Sequence, residues 1–558
     1  ITYKPRSAIK DVGKALGLDI NFIESISQSL AWWDRKKDLE RKFTEFNSNE
    51  NLSFKNSNLI QHFYYLMQQI LGFPRHLSQH VGGFIITRGP TSEIVPIENA
   101  TMTNRTVIQW DKEDIESLGL LKIDILALGM LTAIHRCIDL VKNNYSKDIS
   151  IQKIPKNDDA TYSMLCNADS IGVFQVESRA QMTMLPRLKP RSFYDLVIEI
   201  AIVRPGPIQG GMVHPYLRRR QGLEEVSYPD KKIKEVLECT LGIPVFQEQV
   251  IRLAMVAAGF SGGEADQLRR AMASWSNKYN SKNQLALFEE KLTEGMLKNG
   301  YNLNFAKNLF KQIQGFGVYG FPESHSASFA LLAYASAWLK CHYPTAFYCS
   351  LMNSQPMGFY SISQLTQDAK RHDIEIRPVD VNYSSWEHTL EKSSEYSLSR
   401  KYNFSIRLGF RIIKGLSKMD SLKIKNCNQK FENIDDFHNK TNLSKAKLSL
   451  LSSAGALDSI NKDRRITQWH SLSLKKDQLS LCNETDEVNL PSLNLIDKMW
   501  GDYDLTGLTL GEHPMSLFRE NIGLFKNCKR NCDLTHLNHK QEILIAGIVT
   551  GRQRPGTA

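Results

Sequence analysis

From Leu131 to Pro378 the chain carries helical apolar spacing, punctuated by proline and glycine at Arg204–Gly211 and Gly315–Pro322. Apolar residues at intervals of three and four give each segment one face that must be buried against a neighbour. The Gly/Pro clusters end helices and redirect the chain. A stretch of this length therefore constrains the middle of the molecule to a large, mainly α-helical body. Within it, Ser261-Gly-Gly-Glu264 has the spacing of a capping box and opens a helix expected to run through Met272.

The flanks read differently. Residues 1–75 are mostly helical, with helical spacing over Ala8–Leu18, Phe22–Trp33 and Leu59–Leu71, and a polar stretch, Asn47–Asn58, between them. Residues 80–128 change character. Gly82-Gly83 precedes the apolar run Phe84–Ile86, turns follow at Gly89-Pro90, and short strands follow those, which makes a small α+β unit. Residues 400–460 hold two short helix–turn–helix patterns with turns at Gly415 and Gly455. Residues 461–500 read as a polar linker, and Gln541–Thr550 reads as a strand.

The 558 residues suffice for several domains with sizeable cores. No segment reads as a membrane span: the longest apolar runs, such as Phe329–Leu339, are broken by Ser, Tyr and Lys neighbours. Ile1 is not an initiator methionine and no leader pattern follows it, so the chain reads as cut at both ends. The nine cysteines show no paired spacing. Cys528 and Cys532 lack two further ligands for a metal, so reduced thiols of a cytoplasmic protein are expected. Lysine and arginine exceed aspartate and glutamate by 11, which favours a polyanionic partner without separating DNA from RNA, nucleotide or acidic protein.

Four short strings carry chemistry. In Leu121-Lys-Ile-Asp-Ile-Leu126, Lys122 and Asp124 lie two apart, so on a strand they share one face while Ile123 and Ile125 point into the core. A carboxylate beside an ammonium suits a metal and a phosphate; a surface Lys–Asp neighbour pair is the alternative. Arg269 and Arg270 sit on the helix opened by Ser261, where a phosphate partner competes with an ion pair to Glu264 or Asp266. Arg204-Pro-Gly-Pro207 is a rigid loop presenting a cation, or simply a structural turn. Ile412-Ile-Lys-Gly-Leu416 resembles a helix-hairpin-helix turn, where Gly415 lets a backbone phosphate approach amide donors and Lys414 adds charge, with a plain helix connection as the alternative.

The strings also occur in a recognisable order. His80-Val-Gly-Gly-Phe84, Gln109-Trp-Asp-Lys-Glu-Asp114, Gly119-Leu-Leu-Lys-Ile-Asp124 and Gly172-Val-Phe-Gln-Val-Glu-Ser178 are followed by Arg204-Pro-Gly-Pro207, Gln247-Glu-Gln249, Leu268-Arg-Arg-Ala-Met272 and Tyr319-Gly-Phe-Pro-Glu-Ser-His325. Over nearly its whole length the chain resembles bacterial C-family DNA polymerases, the DNA polymerase III alpha subunit family. Thr87-Arg-Gly-Pro90, Ser178-Arg-Ala-Gln181, Leu351-Met-Asn-Ser-Gln-Pro-Met-Gly-Phe-Tyr360 and Val549–Ala558 are similar to the error-prone branch. The replicative branch, which usually has Lys-Ser-His where this chain reads Glu323-Ser-His325, is the alternative within the family. A non-catalytic DNA-binding module is the alternative outside it.

The resemblance implies a multidomain architecture: a thumb over 1–75, the C-terminal half of a palm over 76–130 and fingers over 131–400. A helix-hairpin-helix element over 400–460 would follow, then a linker and the start of an OB-type barrel over 461–558. It implies template-directed nucleotidyl transfer with two Mg²⁺ ions on three aspartates, in damage tolerance and repair. Asp124 matches the third aspartate; the Pro-Asp-x-Asp string that supplies the other two does not occur in this sequence. Asp373-Ile-Glu375 and Asp380 lie far along the chain and do not replace it. By the same resemblance Lys122 faces nucleotide phosphates, and Arg204, Arg269 and Arg270 meet triphosphate or template. The implied partners are primer–template DNA, deoxynucleoside triphosphates and a sliding clamp, reached directly or through accessory mutagenesis proteins. Gln478-Leu-Ser-Leu-Cys482 lies where family members carry a clamp peptide, but Cys482 replaces its terminal aromatic anchor, and a chance match is the favoured reading.

Overall fold

The structure, a computed structural model of the chain, describes residues 2–29, 57–76, 82–100, 104–125, 128–204, 211–274, 281–316, 322–392, 402–427, 429–473, 490–521, 523–525 and 527–549. It divides into two compact units, residues 1–127 with 547–558, and residues 128–546.

In the first unit, helices α1 (Pro5–Ala15), α2 (Ile20–Ser29) and α3 (Ser57–Ile70) pack about Ala8, Ile9, Ile23, Ile26, Phe63 and Met67. These are the apolar positions of the expected helical stripes; Asn47–Asn56 lie outside the described residues. The α+β part holds β1 (Gly83–Ile86), β2 (Ile97–Asn99), β3 (Thr106–Ile108), α4 (Lys112–Ser117) and β4 (Leu121–Asp124). Strands β1 and β4 pair antiparallel, as do β2 and β3.

One expectation fails here. Ile123 and Ile125 do not point into a core: they are 38 % and 65 % exposed, and Leu121, Phe84 and Ile86 beside them are exposed too. Because Phe84 pairs with Ile123 and Ile86 with Leu121, the apolar side chains share one face of a two-stranded ribbon, and that face is uncovered.

The second unit is a helical body with one continuous apolar core. Its elements are α5 (Gly129–Tyr145), α6 (Asp159–Cys166), α7 (Arg179–Leu188), α8 (Phe193–Ile202), α9 (Val213–Arg220), α10 (Lys231–Leu237), α11 (Gln247–Ala258), α12 (Gly262–Ser274), α13 (Ser281–Lys298), α14 (Leu303–Phe316), α15 (Glu323–His342), α16 (Pro344–Asn353) and α17 (Ile362–Arg371). Side-chain caps set several starts. Ser192 and Asp195 cap α8, Ser361 and Gln364 cap α17, and Ser261 and Glu264 form the expected box at α12. Helix α8 is buried on every side from Asp195 to Ile202 and packs along α15, where Ser326 Oγ donates to the Val197 carbonyl at 2.5 Å.

A charged network pins α15, α16 and α17 together. Lys340, 2 % exposed, places Nζ 2.6 Å from Asp169 Oδ1, 3.0 Å from the Ile171 carbonyl and 3.4 Å from Asp368 Oδ2. Tyr348 Oη donates to Asp368 Oδ2 at 2.5 Å, and His372 Nε2 lies 2.7 Å from Asp169 Oδ2. Burial pushes the Asp169 carboxyl up, but His372 and Lys340 outweigh it and hold it at about 2.

Beyond α17 a three-stranded sheet forms, with β7 (Phe404–Arg407) between β5 (Ile376–Arg377), parallel to it, and β6 (Thr389–Lys392), antiparallel. The sheet spans the expected domain boundary at 400. Helices α18 (Lys418–Lys425), α19 (Ile434–Thr441), α20 (Lys445–Ser453), α21 (Arg464–Ser473), α22 (Leu495–Thr506) and α23 (Pro514–Asn521) follow.

Two further expectations are corrected. Residues 461–500 are not a continuous linker, since α21 packs on α20 and α22 begins at Leu495; the buried positions of α21 include the polar Thr467 and Ser471 while Trp469 and Leu472 are exposed, so no apolar stripe marks the helix. Gln541–Thr550 shows no strand among its described residues, only an isolated bridge between Lys529 and Ile545, because an alternating pattern becomes a strand only where a partner edge pairs with it.

Candidate functional site

In the first unit, Lys122 and Asp124 stand on β4 at positions two apart, as expected, with Ile85 opposite Lys122 and Gly83 opposite Asp124. Gly83 contributes no side chain on that face, so the partner strand leaves room beside the Asp124 position. The ladder continues one residue further, where the Ile125 amide donates to the Gly82 carbonyl at 2.7 Å. The Lys122 side chain is half-buried.

The predicted cations of the second unit make local contacts. Arg204, half-buried just past the end of α8, donates from Nε to the Ile200 carbonyl at 3.1 Å and so caps that helix. Pro205–Gly210 lie outside the described residues. Arg269 pairs through Nε with Asp266 Oδ1 at 2.8 Å, one of the two carboxylates the sequence offered. The other, Glu264, takes Lys291 at 2.5 Å. The Arg270 backbone lies in α12, and its side chain is outside the described residues.

The two glycine turns are built differently from the expected pair. Gly415, at φ +83°, follows strand β7 and a single 3₁₀ turn (Phe410–Ile412) rather than a helix, and Ser417 caps α18 immediately after it. Lys414 is engaged at both ends: its amide donates to the Leu505 carbonyl at 2.8 Å and Nζ to the Asp504 carbonyl at 2.5 Å. Both are C-terminal carbonyls of α22, which favour a cation. The Gly415 carbonyl accepts from Lys447 Nζ.

Gly455, at φ +72°, joins α20 to the segment leading into α21. A Cβ there would lie 2.2 Å from the Arg464 guanidinium, which pairs with Asp502 at 2.7 Å. Glycine is required at this turn to admit an arginine from the next helix.

Other groups with unusual environments escaped the sequence reading. Glu199 on α8 is 0 % exposed, neither carboxyl oxygen has a hydrogen-bond partner, and burial holds its pKa well above the ordinary carboxylate range. Among the described residues, two groups could hold a metal: Asp158 with Cys341 and His342, and Asp169 with Asp368 and His372. The second is already filled by the Lys340 ammonium, and neither includes Cys528 or Cys532; the Asp124 side chain lies outside the described residues. The Gln478–Cys482 string lies outside the described residues.

These elements can be set beside known families. Residues 1–127 match the bacterial DNA polymerase III alpha NTPase domain, residues 130–300 the bacterial DNA polymerase III alpha subunit finger domain, and residues 373–467 a helix-hairpin-helix motif. The chain belongs to the bacterial DNA polymerase III alpha subunit family. Within it, the chain is 55 % identical over 565 aligned residues to an error-prone DNA polymerase of Teredinibacter turnerae, covering 100 % of this chain and 53 % of that protein. It is 54 % identical to the error-prone DNA polymerase of Saccharophagus degradans and 50 % identical to that of Idiomarina loihiensis, again over 100 % of this chain and 54 % and 53 % of theirs. The chain thus spans about half the length of the curated relatives it matches.

Proposed function

We propose that this protein takes part in template-directed DNA synthesis by nucleotidyl transfer, of the error-prone kind that copies damaged template. The observation that carries this reading is the whole-length identity of about one residue in two to several error-prone DNA polymerases. The helix-hairpin-helix match over 373–467 and the excess of 11 cations support a DNA partner. Residues 1–75 act as a thumb, 76–130 as the C-terminal half of a palm, 131–400 as fingers and 400–460 as a helix-hairpin-helix element, with 461–558 forming a helix-bearing linker and the start of an OB-type barrel. Primer–template DNA and deoxynucleoside triphosphates are the substrates, the bacterial cytoplasm the location, and a sliding clamp the means of recruitment, directly or through accessory proteins. Among the described residues no helix is long and apolar enough to cross a membrane.

Two Mg²⁺ ions are the family's catalytic metals. The residues of this sequence do not complete that site: Asp124 is a single carboxylate, and the paired-aspartate string that would supply the other two does not occur in it. We assign Asp124 one ligand position and derive no step through the metals. What the chain's own residues supply is charge toward DNA and nucleotide: Lys122 on the Asp124 strand, and Arg204, Arg269 and Arg270 in the fingers. Lys414 and Gly415 act as a braced backbone turn, with the lysine holding α22 and the glycine allowing close approach to a strand.

The test is binding of fluorescein-labelled primer–template to the purified 558-residue chain across a salt series. Affinity should fall steeply, with a log–log slope of about −0.9 per phosphate neutralised, and the same chain should incorporate no nucleotide. Absence of binding at low salt refutes the DNA reading. Incorporation by the chain alone shows that the catalytic carboxylates were misplaced.

A further inference from the structure

Three strings singled out by the resemblance, Gly172–Ser178, Ser178–Gln181 and Leu351–Tyr360, meet around one cleft of about 400 Å³ in the helical unit. Its walls include Phe174, Met357 and Phe359, and its polar lining includes Gln175, Glu177 and Gln181. Tyr360 Oη donates to the Glu177 carbonyl at 2.9 Å and locks the two sides together. Phe174 is backed by Phe329 with ring centroids 5.2 Å apart, so its orientation is fixed.

Two polar side chains are nine-tenths buried there and half used. Glu177, 7 % exposed, accepts the Gly172 amide at Oε2 (3.1 Å), and Oε1 has no partner among the described residues. Gln181, 8 % exposed, accepts from Ser178 Oγ at Oε1 (2.7 Å), and Nε2 has no partner among the described residues. A free acceptor and a free amide donor thus line a cleft with aromatic and thioether walls. Buried polar groups normally find partners, so a pair left open toward a cavity marks a ligand with complementary polar edges. Gln175, at φ +64°, holds a backbone conformation that a non-glycine residue rarely adopts and lies on the same rim. Arg179, next in sequence to the lining residue Ser178 at the start of α7, is exposed and makes no ion pair among the described residues.

We propose that this cleft binds one unpaired nucleobase, its ring packed among Phe174, Met357 and Phe359 and its edge read by Glu177 Oε1 and Gln181 Nε2. This rests on the proposed DNA function and names a subsite within it. A base presents adjacent donors and acceptors on a planar apolar ring, the chemistry that aromatic walls and one amide–carboxyl pair accommodate. Arg179 takes the adjoining phosphate. Burial pushes the Glu177 carboxyl up to about 7, against the Gly172 amide and the Lys340 ammonium, which pull it down. Near neutrality it can therefore accept from one base or donate to another, and the cleft tolerates different bases.

The experiment compares binding of a short fluorescent oligothymidylate and an abasic strand of equal length to the 558-residue chain and to its Gln181→Met, Glu177→Gln and Phe359→Ala variants. Phe359 is 74 % exposed, so its removal tests the cleft without threatening the fold, and melting curves check the other two. The wild type should prefer the base-bearing strand about ten-fold. Each variant should lose about three- to ten-fold of that preference, with abasic affinity unchanged. Millimolar deoxythymidine, which carries the same base, should compete for the cleft and reduce the preference in the wild type; a preference untouched by saturating nucleoside counts against a base-binding cleft. Equal binding of both strands, or variants that keep the wild-type preference, overturns the proposal and leaves the DNA reading standing. Failure of both strands to bind overturns both.

Discussion

Replacing Lys340 with methionine keeps the volume of the side chain and removes its charge. In the native protein that ammonium is 2.6 Å from Asp169 and 3.4 Å from Asp368, and the Asp368 side chain is only 5 % exposed. The substitution leaves Asp368 buried with the Tyr348 hydroxyl as its remaining close donor, while Asp169, 31 % exposed, keeps His372 and some access to water. Removing one partner of a buried pair costs about 3–5 kcal/mol, and the partial exposure of Asp169 places this case near 3 kcal/mol. A unit the size of residues 128–546 has an unfolding entropy of roughly 0.9 kcal/mol/K, so the melting temperature should fall by about 3–4 °C at pH 7.

The pH dependence follows from the signs. Asp169 titrates at about 2 when folded, below its unfolded value, so its contribution is full above about pH 4 and is lost as pH falls through about 2. His372 is raised by Asp169, so its contribution is full below about pH 6.5 and is lost as pH rises through its folded value. Without Lys340 the depression of Asp169 shrinks, and the gap between variant and wild type should narrow below about pH 4. Differential scanning calorimetry at pH 7 and at about pH 2.5, between the folded and unfolded Asp169 values, measures both effects. A variant that melts with the wild type at pH 7 refutes the claim that this ammonium holds the three helices together.

Glu199→Met removes two buried oxygens that nothing among the described residues satisfies, and should raise the melting temperature by about 1–3 °C at pH 8. Because burial raises the Glu199 pKa, the ionisation part of its cost is absent below about pH 4.5 and grows as pH rises, so the gain should shrink in acid; a gain as large at pH 4 as at pH 8 contradicts the assignment. Arg269→Ala, in a protein competent for synthesis, should raise the apparent nucleotide KM or lower the rate with primer–template affinity unchanged. A small loss of stability with intact kinetics assigns Arg269 wholly to its pair with Asp266.

Local signals carried the helices and failed at questions that depend on distant chain. The Ser261–Glu264 box is readable because its donor and acceptor sit three residues apart, and α12 begins where it predicts. The alternation at Leu121–Ile125 gives a strand and says which side chains share a face, but whether that face is covered depends on residues the pattern does not contain. Hence Ile123 and Ile125 came out exposed. Lys340 looked like the polar end of an apolar run, yet it is buried, because its partners lie 171 and 28 residues away in sequence. The Ile412–Leu416 pattern suggests charge for a phosphate at Lys414 and cannot show that the same side chain also caps a helix 90 residues further on. The polymerase strings themselves were legible in order, and the cleft they build at Glu177 and Gln181 emerged only when the fold brought them together.

The most direct test of the account is primer extension by a protein in which this chain follows a segment bearing the paired aspartates, compared with its Asp124→Asn variant. Losing one metal-ligand charge forfeits several kcal/mol of transition-state stabilisation, and every ~1.4 kcal/mol is ten-fold in rate. Extension should fall by roughly 10²- to 10⁴-fold with primer–template affinity nearly unchanged. Extension at close to the wild-type rate would contradict the assignment of Asp124 and, with it, the catalytic role given to the β1–β4 ribbon.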